Sequence, residues 1–470
     1  MLVTSFGHGT TSAIVAGMHV VIDPVLTESF MEGLAVPRPR RTIDLDAIPD
    51  IDIVIITHFH VGHFDPATLD LLPRDTAIFH PDDSLIDAVL TEMGFTNARA
   101  VTPGQSISFG DGEILFTGNG PIRPLVGVLL RDRDGVVWYM ADRGDLLPVD
   151  ELEKIVDLVG GVDVLIPSHP SDLHSFFRHS TWDGGGRDGE TYDTWLRRCV
   201  ETVLRVKPKL FIPSSTNFAY VGRAAWLNRY MFPMAPEEFV SVVRSVAPEF
   251  DGVVLAPGDA VDLVDRTPFV LRDAASFVAH EPAADERGLD PTLPPPHVTD
   301  DNADGVAKGE LEDRIEQYLV TQLLPWLEDP TGGYRSLLRT YRNLAVNYRL
   351  SVVFDDGTST RWRISLTDAD VTIRRVADEE PPGYQELHTR IAASVLDRWI
   401  RNEIPYYLTN VDCRRTGAIT GLGRTAETVV TTTSVEATCL VTAHLTAGRE
   451  RLQSWLVQQA KRLRHTEQLG

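Results

Sequence analysis

Three histidines and an aspartate lie within eight residues of one another, directly after an apolar run. They are His58, His60, His63 and Asp65, and the run is 51–56, which predicts a buried strand. Burying several imidazoles at a strand end is costly unless they bind something, and a metal ion is the usual partner. The stretch therefore predicts a metal site at the end of a strand.

Other polar residues that could serve such a site also follow predicted strands or turns. Asp142 comes after the strand predicted at 135–140, and His169 follows the one predicted at 162–166. His8 lies on a turn between two glycines, and Asn217 and Arg223 lie in and beyond the loop after residue 213. Their shared position at element ends makes them candidates for the same site.

Composition limits the function classes. The 470 residues are enough for two or three domains, and the hydrophobic and charged fractions, 43% and 24%, are those of a water-soluble globular protein. A formal charge of -23 disfavours binding to nucleic acid or to anionic membrane surfaces, but one local arginine could still hold a small anionic substrate. Three scattered cysteines, with no signal-like leader or long apolar run, favour a cytoplasmic protein without membrane insertion.

The chain is predicted to contain two domains. We place the first at 1–275, a proline- and aspartate-rich linker at 276–308, and a separate α+β domain at 309–470. In the last part the pattern predicts a helix at 311–327, a hairpin around Asp355-Asp356-Gly357 and a helix at 386–400. It further predicts β structure at 427–439 and a closing helix at 447–462.

The histidine stretch resembles the HxHxDH motif of the metallo-β-lactamase superfamily, and the resemblance extends over about 1–265. Val21-Ile22-Asp23-Pro24, Tyr139-Met140-Ala141-Asp142 and 206–213 are similar to other conserved segments of that family. The region 160–235 looks most like CMP-N-acetylneuraminate hydroxylase, without its Rieske domain, and the C-terminal part resembles a sterol-carrier domain. This resemblance implies an α/β fold, an αββα sandwich, with metals bound at one edge.

The departures from the motif change what the resemblance implies. Gly62 stands where the motif has an aspartate, so one carboxylate ligand of the second metal is missing. The histidines expected near 118–121 and at 214–215 are also absent. The resemblance then implies metal ligation by His58, His60, His63 and Asp142. Two imidazoles and a carboxylate with open positions form the facial triad of non-haem Fe(II) oxygenases.

For the other candidates two interpretations stay open. Asp65 either orients a ligand imidazole, as a catalytic residue, or caps the helix that starts at Pro66. His169 either completes a hydrolytic zinc centre or caps its strand end. His8, Asn217 and Arg223 are predicted to bind substrate, the alternative being ordinary surface hydrogen bonds for the last two.

Three functions follow as hypotheses. The first is a non-haem iron oxygenase, a hydroxylase acting on a small polar metabolite, with a separate electron donor. The second is a metallo-hydrolase of lactonase, esterase or phosphodiesterase type that uses zinc or manganese, and the third is a degenerate scaffold without catalysis. We expect one or two divalent metals with Fe(II) favoured, a small-molecule substrate, and no nucleic-acid partner, and we leave a homodimer open.

Overall fold

The structure is a computed structural model, and it describes residues 1–118, 125–140, 147–169, 192–213, 217–232, 234–282, 296–330, 334–377, 385–404, 409–418, 439–446 and 450–467. The chain divides into two compact units. The first contains the described residues up to 282 together with 457–467, and the second contains those from 296 to 456. Within these described ranges no helix is both long and apolar enough to cross a membrane.

The strands of the first unit are short and mostly buried. In chain order they are β1 (Leu2–Gly7), β2 (Thr10–Val15), β3 (Met18–Ile22), β4 (Ala35–Pro37), β5 (Arg41–Ile43), β6 (Ile53–Ile55), β7 (Ala77–Pro81), β8 (Ala98–Val101), β9 (Ser106–Phe109), β10 (Gly112–Thr117), β11 (Gly127–Asp132), β12 (Gly135–Tyr139), β13 (Val164–Ile166), β14 (Leu210–Phe211), β15 (Phe218–Tyr220), β16 (Asp251–Gly252), β17 (Ala260–Val264), β18 (Thr267–Leu271) and β19 (Val278–His280).

Helices connect or cover these strands. They are α1 (Pro66–Asp70), α2 (Ser84–Glu92), α3 (Val149–Val159), α4 (Tyr192–Val206) and α5 (Pro236–Val246), with 3-10 turns at Leu45–Ala47 and Gly222–Tyr230. The apolar periodicity of residues 192–206 predicts a helix, and α4 spans the same residues.

Two sheets form the body of the first unit. Among the described strands one sheet has the order β18-β17-β1-β2-β3-β6-β7-β8 and the other β16-β14-β13-β12-β11-β10-β9. Side chains of both sheets, such as Ile22 and Ile55 from one and Phe116 and Ile166 from the other, share one apolar core. The opposite face of the second sheet packs against α3, α4 and α5, and α1 and α2 are the crossovers between parallel strands. The predicted αββα sandwich is confirmed.

Three parallel strands set the position of the histidine stretch. Ile22 of β3 pairs with Ile55 of β6, and Ile55 pairs with Phe79 of β7, so the three strands end at one edge. Strands of this kind are apolar on both faces because helices and a second sheet cover them. Asp23 and Thr57 therefore leave the sheet side by side.

The second unit is an α+β unit. Its described elements are α6 (Lys308–Tyr318), a π-helical turn (Leu319–Leu323), α7 (Leu324–Glu328), α8 (Tyr334–Asn343), β20 (Asn347–Val353), β21 (Ser359–Leu366), β22 (Val371–Val376), β23 (Glu386–Ala392), α9 (Ala393–Ile400), α10 (Thr409–Asp412), β24 (Cys413–Ala418), α11 (Leu440–Thr446) and α12 (Glu450–Glu467), whose last residues belong to the first unit. The described strands pair in the order β22-β21-β20-β23-β24, and helices pack on one face.

The structure confirms the hairpin, β20–β21, and the helical character of 311–327, where the π turn precedes Pro325. The helix predicted over 386–400 is wrong in its first half, which is strand β23. Side chains of 387–391 alternate between two faces, and pairing with β20 and β24 on both sides decides the strand. The β structure predicted at 427–439 lies almost wholly outside the described residues.

The segment predicted as a linker contains described structure. Strand β19 pairs with β5, and Asp300 is buried in the second unit, where its carboxylate accepts hydrogen bonds from the backbone N–H and hydroxyl of Ser394 at the start of α9. The domain bounds 1–275, 276–308 and 309–470 stay a prediction.

Candidate metal centre

The histidine stretch is the loop between β6 and α1. His58, His60 and His63 cluster there: the ring centroids of His58 and His60 are 4.6 Å apart, and those of His58 and His63 are 4.1 Å apart. The chain turns tightly here, since the backbone N–H of His63 donates to the carbonyl of His60 at 2.8 Å. The structure therefore brings the three predicted histidines together.

Asp23 is the hydrogen-bond centre beneath these imidazoles. Its fully buried carboxylate accepts the backbone N–H and the hydroxyl of Thr57, each at 2.7 Å. It also accepts hydrogen bonds from His63 Nδ1 at 2.7 Å and from the hydroxyl of Tyr139 at 3.1 Å. Burying a carboxylate is favourable only when it is satisfied in this way. Asp23 thus ties strands β3, β6 and β12 to the cluster.

The hydrogen bonds of Thr57 decide the tautomer of His58. The single hydroxyl hydrogen of Thr57 goes to Asp23, so toward His58 Nδ1, 3.0 Å away, the oxygen can only accept. Nδ1 of His58 therefore carries the proton, and Nε2 carries the lone pair. That lone pair points toward His60 Nδ1 at 2.9 Å.

His63 is oriented in the same manner. Its Nδ1 donates to Asp23, so the lone pair is on Nε2. A carboxylate that holds the far nitrogen of an imidazole is the common support of metal-ligating histidines, because it fixes both the tautomer and the ring direction. The pair His63–Asp23 has this form.

His8 lies directly over Gly62. A Cβ atom added to Gly62 would come within 3.0 Å of His8 Nε2, closer than an ordinary contact. The ring of His8 is 2% exposed and packs between Phe30, with centroids 4.2 Å apart, and Phe218, at 5.5 Å. The φ angle of His8 is 51°, a left-handed conformation. The side chain missing at position 62 thus leaves the space against which the His8 ring packs.

Comparison with known proteins shows what part of the first unit is similar to. Residues 18–214 match the family model described as a beta-lactamase superfamily domain. The match covers 197 of the 470 residues, so it describes a part of the first unit. A putative Rieske 2Fe-2S iron-sulfur protein of Mycolicibacterium smegmatis is 27% identical over 232 residues, 46% of this chain and 43% of that protein. The chain therefore spans less than half the length of this curated relative.

The solved structures that are similar to part of this chain include a hydrolase and a hydroxylase. Igni18, a metallo hydrolase of Ignicoccus hospitalis, is 20% identical, and the match covers 55% of this chain and 97% of that one with a TM-score of 0.38. CmlA, a diiron β-hydroxylase of Streptomyces venezuelae, is 19% identical over 58% of this chain and 54% of its own, also with a TM-score of 0.38.

A divalent metal is the cofactor that the resemblance to the metallo-β-lactamase superfamily implies, and the donor chemistry of the histidine stretch fits it in part. Two imidazole ligands of one ion, each about 2.1 Å from it, lie roughly 3.0–3.4 Å apart, close to the 2.9 Å between His58 Nε2 and His60 Nδ1. Within the described ranges no group of three or more His, Cys, Asp or Glu side chains has the geometry of a complete site. The predicted ligand Asp142 lies outside the described residues.

Asp65 makes the contacts of a helix cap. Its carboxylate accepts the backbone N–H of Thr68 at 3.1 Å, the Thr68 hydroxyl at 2.7 Å and the Thr27 hydroxyl at 3.3 Å. Burial raises the pKa of Asp65, although these hydrogen bonds oppose the shift. The cap, one of the two predicted interpretations, is what the described contacts show, and Asp23 supports the imidazole instead.

The remaining predicted site residues lie after strands or on turns of the first unit and differ in burial. His169 follows β13 and is buried, with its ring 6.3 Å from that of Phe239 on α5. Asn217 is half-buried and directly precedes Phe218, whose ring packs against His8. Arg223 is exposed and lies on the 3-10 turn Gly222–Tyr230. Their roles in catalysis and substrate binding stay predictions.

The predicted site residues did not include Asp23, Thr57 and Tyr139, which the structure places at the site. A signal for Asp23 was present: it follows an apolar run, 20–22, of the same kind as the run before the histidines. If both runs are parallel neighbours, Asp23 must meet Thr57.

Proposed function

We propose that this protein is a metal-dependent enzyme, an oxygenase that hydroxylates a small polar metabolite at a single iron site. The observation that carries this proposal is the pair Gly62 and His8: the carboxylate of the second-metal site is absent, and an imidazole packs against its position. With one metal, the ligands His58, His60 and Asp142 would match the facial triad.

The described residues have definite tasks in this proposal. The Thr57 hydroxyl holds the proton on His58 Nδ1, so that the lone pairs of His58 Nε2 and His60 Nδ1 can face one ion. Asp23 keeps Thr57 in that state and fixes the ring of His63. Bound Fe(II) would supply dioxygen activation at its open positions. The aromatic rings of Phe30 and Phe218 exclude water from one side of His8.

Metal content tests the proposal directly. Protein purified without oxygen and without added metal is expected to contain one iron per chain by elemental analysis, and the His58→Ala and His60→Ala variants are expected to lose it. His280→Ala is the matched control, because His280 on β19 contacts only its own neighbour's carbonyl among the described hydrogen bonds. Stoichiometric zinc, together with no substrate-dependent oxygen uptake in a metabolite screen, would refute the oxygenase.

A metallo-hydrolase is the second candidate, and His63 favours it. An imidazole held by a buried carboxylate is suited to a second metal, and two metals activate water in dinuclear hydrolases. This candidate predicts two zinc or manganese ions per chain and turnover of ester or lactone substrates. It also predicts that His169→Ala loses metal or turnover; full retention of both in that variant would remove the support that His169 gives it.

A further inference from the structure

The sheet of the second unit has one apolar and one basic face. Tyr348, Leu350, Trp362 and Ile364 point into the helix-covered core. The residues between them point the other way, and the strand register places them together. We call these residues the arginine face: Arg349 and Ser351 on β20, Arg361 and Arg363 on β21, and Glu386, His388 and Arg390 on β23.

Glu386 lies at one end of the arginine face, between two arginines. Its carboxylate lies 2.7 Å from Arg349 Nε and 3.7 Å from Arg363 Nη2. Arg349 is 6% exposed, and the side chain of Arg363 is 17% exposed. The buried carboxylate offsets the charge of the two guanidinium groups at that end.

The other end is centred on Ser351, which pairs in register with Arg361 on one side and Arg390 on the other. The two guanidinium-bearing side chains thus flank the same short residue from neighbouring strands about 5 Å away on each side. Arg390 Nε is buried, and the described residues give it no hydrogen-bond partner. Two long cationic side chains therefore lie on either side of one buried serine.

The pKa of His388 indicates the sign of the electrostatic potential at this end of the arginine face. Its Nε2 contacts the Ser351 hydroxyl at 2.8 Å. Burial, and then the charges of Arg349, Arg361 and Arg390, lower the pKa of His388 to about 4. Burial and the charges of Arg390 and Arg349 also lower the pKa of Arg361. The field at this end of the face is therefore positive, in a chain whose formal charge is -23.

We propose that the arginine face binds a small polyvalent oxyanion, a phosphate ester or a polycarboxylate, between Arg361 and Arg390. Planar guanidinium groups bind phosphate and carboxylate oxygens in pairs, and an anion between two arginines offsets their mutual repulsion. The face is only partly exposed, which favours a freely diffusing small anion over a lipid surface. The acidic remainder of the chain would repel such anions elsewhere, so the binding should be local.

Calorimetric titration of the full chain with pyrophosphate and with citrate tests this proposal. We expect one of the two anions to bind. Its binding should be weaker at 200 mM than at 20 mM salt, because salt screens the attraction between the anion and the arginines. Arg361→Gln and Arg390→Gln should each weaken the binding about 10-fold or more, since each removes charge-assisted hydrogen bonds. Arg398→Gln on α9 is the matched control, because its side chain is exposed and its ion pair with Glu403 is long, at 4.0 Å.

Further outcomes decide the source and the geometry. Arg361→Lys and Arg390→Lys keep the charge and protect the fold, and they should bind less tightly than the wild type because the paired donors are lost. The absence of binding by both anions, or equal affinity in the double glutamine variant, would overturn the proposal. So would arginine-dependent capture by phosphatidylserine vesicles without binding of either free anion, since that would assign the face to a lipid headgroup.

Discussion

Replacing Asp23 by asparagine separates the charge of this residue from its backbone conformation. Asp23 has a φ angle of 49°, in the left-handed region, and asparagine is the other side chain that tolerates this conformation well. The substitution therefore keeps the turn and the shape while it exchanges one carboxylate oxygen for an NH₂ group. Any change in behaviour then comes from the side-chain hydrogen bonds.

The magnitude follows from the four donors that Asp23 satisfies. One of them must face the new NH₂ group, so one charge-assisted hydrogen bond is lost and one buried donor stays unsatisfied. Together these cost about 3 kcal/mol of the free energy of unfolding, or roughly 6–12 °C of melting temperature for a unit of this size. Asp23 also holds the Thr57 hydroxyl that fixes the tautomer of His58, so loss of the carboxylate should lower metal affinity about 10- to 100-fold.

The assays are thermal unfolding of the metal-depleted protein and competition with a coloured chelator for metal affinity. Asp273→Asn is the matched control, because Asp273 is exposed and has a φ angle of 50°. The control should keep both properties. If Asp23→Asn keeps the wild-type metal affinity, Asp23 does not hold His58 in its metal-binding tautomer through Thr57, and the proposed role of Asp23 is wrong.

Two further sets of variants test the packing and the electrostatics. Gly62→Ala should destabilise the first unit by about 1–2 kcal/mol in urea unfolding, because its Cβ would lie 3.0 Å from His8 Nε2. Gly309→Ala in α6 is the control: its Cβ would contact no other atom, and it should stabilise the protein by about 0.5–1 kcal/mol. Equal effects of the two would exclude the contact with His8. Burial and Arg451 lower the pKa of His444, which contacts the Tyr318 hydroxyl, to about 4. Because the pKa is lower in the folded protein, stability that is present above about pH 6.5 is lost as the pH falls to 4. Between these values the free energy of unfolding of His444→Gln should therefore fall by about 2 kcal/mol less than that of the wild type, after an allowance for partial exposure. Unfolding curves at pH 7 and pH 4.5 measure this difference, and parallel losses would contradict the assignment.

Local sequence patterns were sufficient to predict an element whose own periodicity shows which side is buried. The helix at 192–206 shows a clear apolar periodicity. The αββα class was implied by the resemblance of the histidine stretch and other segments to the metallo-β-lactamase superfamily, and the two sheets agree with it. The segment 387–391 shows the limit of such reasoning. Its residues occur in helices and strands alike, and the neighbouring strands β20 and β24 decide the outcome through their hydrogen bonds.

The sequence by itself determined that His58, His60 and His63 lie together at a strand end, because they are close in the chain. Only the tertiary structure decided that Asp23 supports His63, 40 residues away, and that His8 lies over Gly62. Both contacts depend on the parallel register of β3 and β6 and on the turn that follows β1. The physical reason is that a hydrogen bond between distant residues leaves no periodic pattern in either segment, so the fold has to place its donor and its acceptor.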